Sequence, residues 1–155
     1  MRPASMLIIL FIPIMLCSCD RYGVFDSSIN IKDEVWNADS VASFRTTITD
    51  TLSAHNIYIN IRNSTSYPNS NLFLFVTTTS PSEAVLRDTL EVRLANQRGN
   101  WLGRGFGRIR DNQVLYKRNV MIPQPGEYTF QVQHGMRSLN LEGMVSVGIR
   151  VERAQ

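Results

Sequence analysis

The most reactive side chains in this sequence are two thiols, Cys17 and Cys19. They follow an uncharged apolar run, MLIILFIPIML, at positions 6–16, and Arg2 precedes that run. The run is too short to span a bilayer, which requires about 20 apolar residues. A positive residue, a short apolar segment and small residues after it are typical of a secretory signal peptide.

The residues at the end of this run, Leu16, Cys17, Ser18 and Cys19, resemble the lipobox of bacterial lipoproteins. In that motif a thiol just after the apolar run is alkylated by diacylglycerol, and a small preceding residue lets the signal peptidase reach the scissile bond. We predict that residues 1–18 are removed and that Cys19 carries covalent diacylglycerol and an N-acyl lipid such as palmitate. The mature chain would then have no free thiol for a disulfide, a metal site or a nucleophile.

The charge balance gives little sign of a nucleic-acid partner. The full chain has 155 residues and a net charge of +3, and removal of Arg2 with the signal peptide leaves +2. Nucleic-acid binding normally needs a strongly basic, clustered surface. The length fits a single domain, and the sequence does not predict its oligomeric state.

Four glycines occur in the segment GNWLGRGFG at residues 99–107. The segment lacks the terminal Gly-Lys-Ser/Thr of a Walker A loop and the helix that follows a dinucleotide-binding loop. We therefore interpret it as a long inter-strand loop whose glycines adopt positive φ or lie beside large side chains. Trp101 and Phe106 are expected to anchor this loop in the core, with a binding surface as the alternative.

The two histidines and the scattered acids do not indicate an active site. His134 continues the apolar alternation of a strand, which predicts a residue of the strand-end core or edge, and His55 is predicted in a turn. There is no His pair at metal-binding spacing and no G-x-S-x-G context for a serine nucleophile. We predict no catalytic residue, no metal and no cofactor besides the covalent lipid.

Three short segments match an Asp-Ser/Thr-aliphatic pattern used for O-glycosylation of envelope proteins in the Bacteroidetes. They are Asp39-Ser40-Val41, Asp50-Thr51-Leu52 and Asp88-Thr89-Leu90. A three-residue pattern has low specificity, so modification of Ser40, Thr51 and Thr89 is a hypothesis.

The elements that position these residues are predicted to be antiparallel strands. Apolar and polar residues alternate through most of 41–155, for example in Ile57, Ile59 and Ile61, while LFLFV at 72–76 is apolar on both faces and indicates a central strand. We predict about seven strands, with one helical turn at 136–141. This pattern favours an all-β, antiparallel β-sandwich of Ig-like or jelly-roll type, preceded by a lipidated tether at 19–40.

Most of the mature region resembles one family of envelope proteins. The resemblance is carried by the following stretches: ITDTL (48–52), YINIRNSTSYPNSNLFLF (58–75), RDTLE (87–91), GNWLGRGFGRIRDN (99–112), PGEYTFQVQHGMR (125–137) and VSVGIRVE (145–152). They are similar to the GldH family, the gliding motility-associated lipoproteins of the Bacteroidetes. The resemblance implies an envelope lipoprotein of the gliding machinery, which is linked to type IX secretion, and it supplies no catalytic residues.

We therefore expect a non-enzymatic component or assembly factor, anchored to a membrane by Cys19 and bound to other envelope proteins. The loop at 99–112, with Trp101, Arg104, Phe106 and Arg108, is the candidate partner-binding surface. Asp20 followed by Arg21 is a poor fit to the acidic surface-export signals of this phylum, which favours the outer membrane, facing the periplasm.

Two alternatives belong to other functional classes. One is a carbohydrate-binding lipoprotein that presents aromatic residues to a sugar, with Trp101, Phe106, Tyr67 and Tyr116 as the candidates. The other is a hydrolase built on the same scaffold.

Overall fold

The structure is a computed structural model, and it describes residues 21–155. The predicted signal peptide, the lipobox and Cys19 lie outside the described residues. Within 21–155, ten strands account for most of the chain. They are β1 (Gly23–Asn30), β2 (Val35–Asn37), β3 (Ala42–Ile48), β4 (Ala54–Ser64), β5 (Asn71–Thr79), β6 (Val85–Arg93), β7 (Ile109–Met121), β8 (Gly126–His134), β9 (Asn140–Glu142) and β10 (Met144–Arg153).

The strands form two four-stranded antiparallel sheets and one short ribbon. The first sheet has the order β1-β10-β4-β7, and the second has the order β3-β8-β5-β6. The ribbon pairs β2 with β9, where Trp36 lies opposite Leu141 and both side chains are buried. The predicted all-β, antiparallel sandwich is confirmed.

The core lies between the sheets and is formed by every second residue of the facing strands. Ile57, Ile59 and Ile61 project from β4, while Leu72 and Leu74 project from β5, and all five are buried. Because successive side chains of a strand point to opposite faces, each such strand buries every second side chain. Strand β5 pairs on both sides, with β6 and β8, as the apolar run LFLFV predicted.

The structure has three more strands than the seven predicted. The additional strands are β1, β2 and β9, and the helical turn predicted at 136–141 is absent there, since that segment contains the start of β9. Strands β2 and β9 have three residues each, too few to show a two-residue period. Strand β1 reads GVFDSSIN and lies at a sheet edge. Its register with β10 shifts between Gly23 and Phe25, and the adjacent residues Val24 and Phe25 both pack against the core, so its apolar residues do not alternate.

The predicted tether at 19–40 contains strands of the folded domain. Strand β1 pairs with the C-terminal strand β10 along its length, from Gly23 opposite Glu152 to Asn30 opposite Ser146. The chain is therefore part of the sandwich from residue 23, not from residue 41. No helix within 21–155 is both long enough and apolar enough to cross a membrane.

Candidate partner-binding site

The connection between β6 and β7, residues 94–108, folds into two consecutive turns. In the first turn, the Asn96 side-chain oxygen accepts hydrogen bonds from the backbone N–H groups of Arg98 (2.9 Å) and Asn100 (3.0 Å). The backbone of Leu102 then returns to Leu94, with its N–H 2.9 Å from the carbonyl oxygen. The loop is therefore held by its own hydrogen bonds.

The second turn presents Phe106 to solvent. Arg104 and Asp111 exchange backbone hydrogen bonds of 2.9 and 2.6 Å across its base. Phe106 lies at the tip with a fully exposed side chain, between Gly105 (φ +145°) and Gly107 (φ +67°). A Cβ at Gly105 would lie 2.3 Å from the Ile109 carbonyl oxygen, so the turn requires glycine there.

The four predicted loop residues point to different environments. Trp101 packs against the core, as the anchoring interpretation expected, whereas Phe106 is exposed and does not anchor the loop. Arg104 lines a groove described below, and Arg108 makes a two-pronged ion pair with Glu34. The hydrogen bond from this guanidinium lowers the pKa of the Glu34 carboxyl.

A polar groove of about 730 Å³ lies along the outer face of the first sheet, beside the 94–108 connection. Its lining includes small or neutral side chains of three neighbouring strands, Ser28, Ser146 and Asn60. Leu102 and Arg104 line it from the connection. The short side chains on the strands form the floor of a concave surface that is open to solvent.

Three arginines and two aspartates, Asp26 and Asp111, line this groove. Arg62 pairs with Asp111 at 2.5 Å on neighbouring strands. Arg93 and Arg104 also line the groove, and within residues 21–155 neither guanidinium makes an ion pair. The groove therefore offers two unneutralised cations to a ligand or partner.

Two amide side chains, the buried Asn63 and the half-buried Asn112, link the loop to the sheet. The Asn112 side chain donates to the Asn63 side-chain oxygen (2.9 Å) and to the Ile61 carbonyl (3.2 Å), and it lies directly against Gly103. Neither amide was singled out from the sequence. The sequence did contain a signal, because Asn63 continues the inward-facing series of Ile57, Ile59 and Ile61. A buried amide at that position needs a hydrogen-bond partner.

Both histidines belong to the core. His134 is buried, as predicted, and contacts the Trp36 ring edge to face at a centroid distance of 5.4 Å. His55 was predicted in a turn, and this was wrong, because it is the second residue of β4 and completely buried. Its position is one step before Ile57 in the same inward alternation. Burial lowers the pKa of both imidazoles.

Two carboxylates that were possible catalytic groups stabilise a turn and a contact between edge strands instead. The Asp50 carboxylate accepts hydrogen bonds from the N–H groups of Leu52 and Ser53 and from Arg153, and its pKa is lowered, first by the Ser53 side chain. Asp88 binds Lys117 (2.7 Å) and the Tyr116 hydroxyl (2.6 Å), and Lys117 is the main cause of its lowered pKa. The described part of the chain contains no cluster of metal-binding side chains.

The remaining candidate residues are spread over the surface and the core. Ser40 and Thr89 are exposed and Thr51 is half-buried, so modification at these positions stays a hypothesis. Of the four aromatic residues considered for sugar binding, Tyr67 is buried and donates to the Asn71 carbonyl, and Tyr116 is half-buried against Asp88. Trp101 packs on the core, so these four residues do not form one sugar-binding platform.

The fold and the groove define a small antiparallel β-sandwich with one structured loop surface. The family model described as GldH lipoprotein matches residues 23–151, and the chain belongs to this family. It is 36% identical to "Gliding motility lipoprotein GldH homolog" of Christiangramia forsetii over 162 residues, and 34% identical to "Gliding motility lipoprotein GldH" of Flavobacterium johnsoniae over 160 residues. Each match covers 99% of both chains.

Solved structures resemble it more distantly. The infectious bursal disease virus VP2 subviral particle matches with a TM-score of 0.39 and 12% identity, over 98% of this chain and 37% of that chain. The Yersinia pseudotuberculosis-derived mitogen matches with a TM-score of 0.33 and 3% identity, over 84% and 87% of the two chains.

Proposed function

We propose that this protein is a non-enzymatic envelope lipoprotein, a component or assembly factor of the gliding motility machinery that is linked to type IX secretion. The observation that carries the proposal is the match to the GldH lipoprotein family over residues 23–151, together with two relatives named as gliding motility lipoproteins. Because those relatives match over nearly their whole length, the similarity extends to the leader as well as the sandwich.

In this proposal Cys19 carries the membrane anchor. The lipobox-like residues Leu16, Cys17 and Ser18 precede it, and the family is one of lipoproteins. A diacylglycerol with an N-acyl chain gives stable anchoring, since each buried methylene contributes about 0.8 kcal/mol and a single chain alone binds only marginally. Asp20 followed by Arg21 favours the outer membrane and its periplasmic face.

The partner-binding surface consists of the second turn and the neighbouring groove. Phe106 supplies a fully exposed aromatic side chain on a turn held by two backbone hydrogen bonds. Aromatic residues, Phe included, are enriched in protein interfaces, and a rigid support lowers the entropy cost of binding. Arg93 and Arg104 add two unneutralised cations in the neighbouring groove. This surface suits a protein partner with an acidic patch around an apolar pocket.

A structural role for the polar groups supports the non-enzymatic assignment. Asp50 caps a turn, Asp88 joins β6 to β7, and His134 packs on Trp36 within the core. Each of these groups is already engaged by neighbours of the fold.

The first test is the secreted proteome of a deletion strain against wild type, with complementation. We expect loss of type IX cargo from the medium and loss of spreading on agar, both restored by the wild-type chain. An unchanged secretome and unchanged spreading would detach the protein from this machinery.

The second test maps the partner surface in the complemented strain. We expect Phe106→Ser and Arg104→Glu to reduce co-purification of envelope partners, while the protein stays lipidated and abundant. Arg45→Glu is the matched control, because Arg45 is an exposed arginine on β3 in the opposite sheet. Equal partner recovery in all three variants would refute the assignment of this surface.

A further inference from the structure

Antiparallel pairing gives the sandwich two distinct ends. Strand β1 begins beside the last residues of β10, and the start of β4 pairs with the end of β7, since Ala54 lies opposite Met121. Short connections, 49–53 between β3 and β4 and 122–125 between β7 and β8, bring the second sheet to the same end. We call this the anchor end, and the opposite end, which carries the 94–108 connection, the distal end.

The predicted lipid attachment site is separated from the anchor end by only a few residues of chain. Cys19 precedes Gly23, the first residue of β1, by four positions. Four residues of fully extended chain span at most about 14 Å. If Cys19 is lipidated at the bilayer surface, the anchor end cannot move further than this from the membrane.

Four large, exposed, non-aromatic apolar side chains lie at the anchor end, and we define them as the apolar rim. They are Leu52 (91% exposed), Val85 (66%), Leu86 (53%) and Met121 (56%). Val85 is the first residue of β6 and Met121 the last residue of β7, so both mark strand ends. The distal end also exposes apolar residues, Phe106 among them, but the anchor cannot bring those to the membrane.

The most exposed residue of the rim sits on a fixed turn. The Asp50 side chain accepts hydrogen bonds from the N–H groups of Leu52 (3.1 Å) and Ser53 (3.0 Å), and Arg153 binds its other oxygen at 2.9 Å. The Leu52 side chain therefore projects from a turn cross-linked to the last strand. A rigid turn that exposes a leucine loses little conformational entropy when that leucine is buried.

An apolar cleft opens between the two sheets beside the rim. It has a volume of about 280 Å³, and its lining includes Leu86, Met121, Val120, Ile122 and Pro123. The strands that border it, β6 and β7, are both sheet edges. Leu86 and Met121 belong to both the rim and the cleft, so apolar surface extends from the rim into the cleft at the anchor end.

We infer that the apolar rim lies in the lipid layer, so that the domain stands on the membrane surface with its distal end facing away. The inference rests on the lipid anchor at Cys19 in the proposed function. Strand β4 has 11 residues, and at about 3.3 Å per residue the distal end lies roughly 35 Å from the bilayer. Phe106 is thereby presented in the aqueous compartment, where a protein partner can reach it.

The charges at the anchor end indicate that the contact is apolar. Exposed residues of both signs occur there, Arg21 and Arg118 together with Glu83 and Glu127. Their opposite signs leave little net attraction to anionic headgroups. We therefore expect the contact to persist at high salt, because screening weakens charge interactions and not burial of apolar surface.

The test uses the full-length chain, purified with its lipid from the native host and placed in phosphatidylethanolamine/phosphatidylglycerol vesicles. If Cys17 is removed and Cys19 acylated as proposed, a single introduced cysteine is the one reactive thiol of the mature chain. An environment-sensitive fluorophore is attached to Leu52→Cys and Met121→Cys. Phe106→Cys is the control, because Phe106 is a fully exposed apolar residue and lies at the distal end.

We expect a blue shift and loss of fluorescence to lipid-borne quenchers for the Leu52 and Met121 probes, and neither change for the Phe106 probe. Both effects should remain at 1 M salt. Quenching of the Phe106 probe alone, quenching of none, or loss of quenching at high salt would overturn the inference. Intact-mass measurement distinguishes failure of the orientation from failure of the lipid anchor. A lipidated Cys19 without quenching refutes this orientation only, whereas an unmodified Cys19 refutes the anchor as well.

Discussion

The turn that presents Phe106 offers a matched pair of glycine substitutions. Gly105 and Gly107 flank Phe106, and both have positive φ, +145° and +67°. They differ in their surroundings, because a Cβ at Gly107 meets nothing within 4 Å, whereas one at Gly105 would lie 2.3 Å from the Ile109 carbonyl oxygen. Gly107→Ala therefore tests backbone conformation alone, and Gly105→Ala tests conformation plus a backbone clash.

The expected magnitudes follow from these differences. Alanine in the left-handed region at Gly107 should cost about 1 kcal/mol, which lowers the Tm of a domain of this size by roughly 3–4 °C. At Gly105 the clash forces the turn open, with loss of the two backbone hydrogen bonds between Arg104 and Asp111. That loss and the strain together should cost about 2–3 kcal/mol, or roughly 7–10 °C.

The assays are thermal unfolding of the detergent-solubilised protein and hydrogen exchange of the Asp111 N–H, which donates to the Arg104 carbonyl. We expect exchange at Asp111 to accelerate by at least tenfold in Gly105→Ala, since about 1.4 kcal/mol corresponds to a factor of ten. Co-purification of partners should fall less in Gly107→Ala than in Gly105→Ala, in the same order as the loss of stability. Equal Tm values for the two variants, with unchanged protection of Asp111, would refute the reasoning.

Three further predictions concern the interior. Leu74→Ala, in the middle of β5, should lower the free energy of unfolding by about 2–5 kcal/mol in urea titrations because it leaves a cavity at a fully buried site; a loss below 1 kcal/mol would contradict the packing. Asn112→Ala should cost about 1–3 kcal/mol by leaving the Asn63 oxygen without its donor, and urea titration with Asn112→Asp as a comparison measures it. Because burial lowers the pKa of His55 and His134 below 6.5, the folded state is favoured most above pH 6.5. The free energy of unfolding should then fall toward pH 5.5 by up to about 1.4 kcal/mol per pH unit for each imidazole, and a flat profile would exclude buried neutral histidines.

Much of the sandwich was predictable because apolar and polar residues alternate regularly in its central strands. The inward series Ile57, Ile59 and Ile61 in β4 is visible in the sequence, and so is the doubly apolar β5. His55 and Asn63 extend this inward series at the two ends of β4. Because both are polar, the apolar periodicity of the sequence does not mark their positions as inward-facing. Their burial depends on neighbours that come from other strands.

The long-range pairings were not predictable from local pattern. Strand β1 acquires its place only by pairing with β10 about 120 residues later in the chain, and its own sequence lacks an apolar alternation. The candidate site is similar. The glycines predicted a structured loop, but the ion pair of Arg108 with Glu34 and the position of Arg93 in the groove depend on the fold as a whole.

The pairing of β1 with β10 also determines how the domain would carry a mechanical load. The chain leaves β1 toward Cys19 at the anchor end, while a partner held by the second turn would pull at the distal end. Tension between the two runs parallel to the strands, so the hydrogen bonds between Gly23–Asn30 and β10 share the force in shear instead of opening one after another. Forced unfolding is governed by the unfolding rate, and a shear-loaded ladder resists it better than a peeled one. A domain loaded in this direction would therefore unfold more slowly than one in which β1 is peeled from β10.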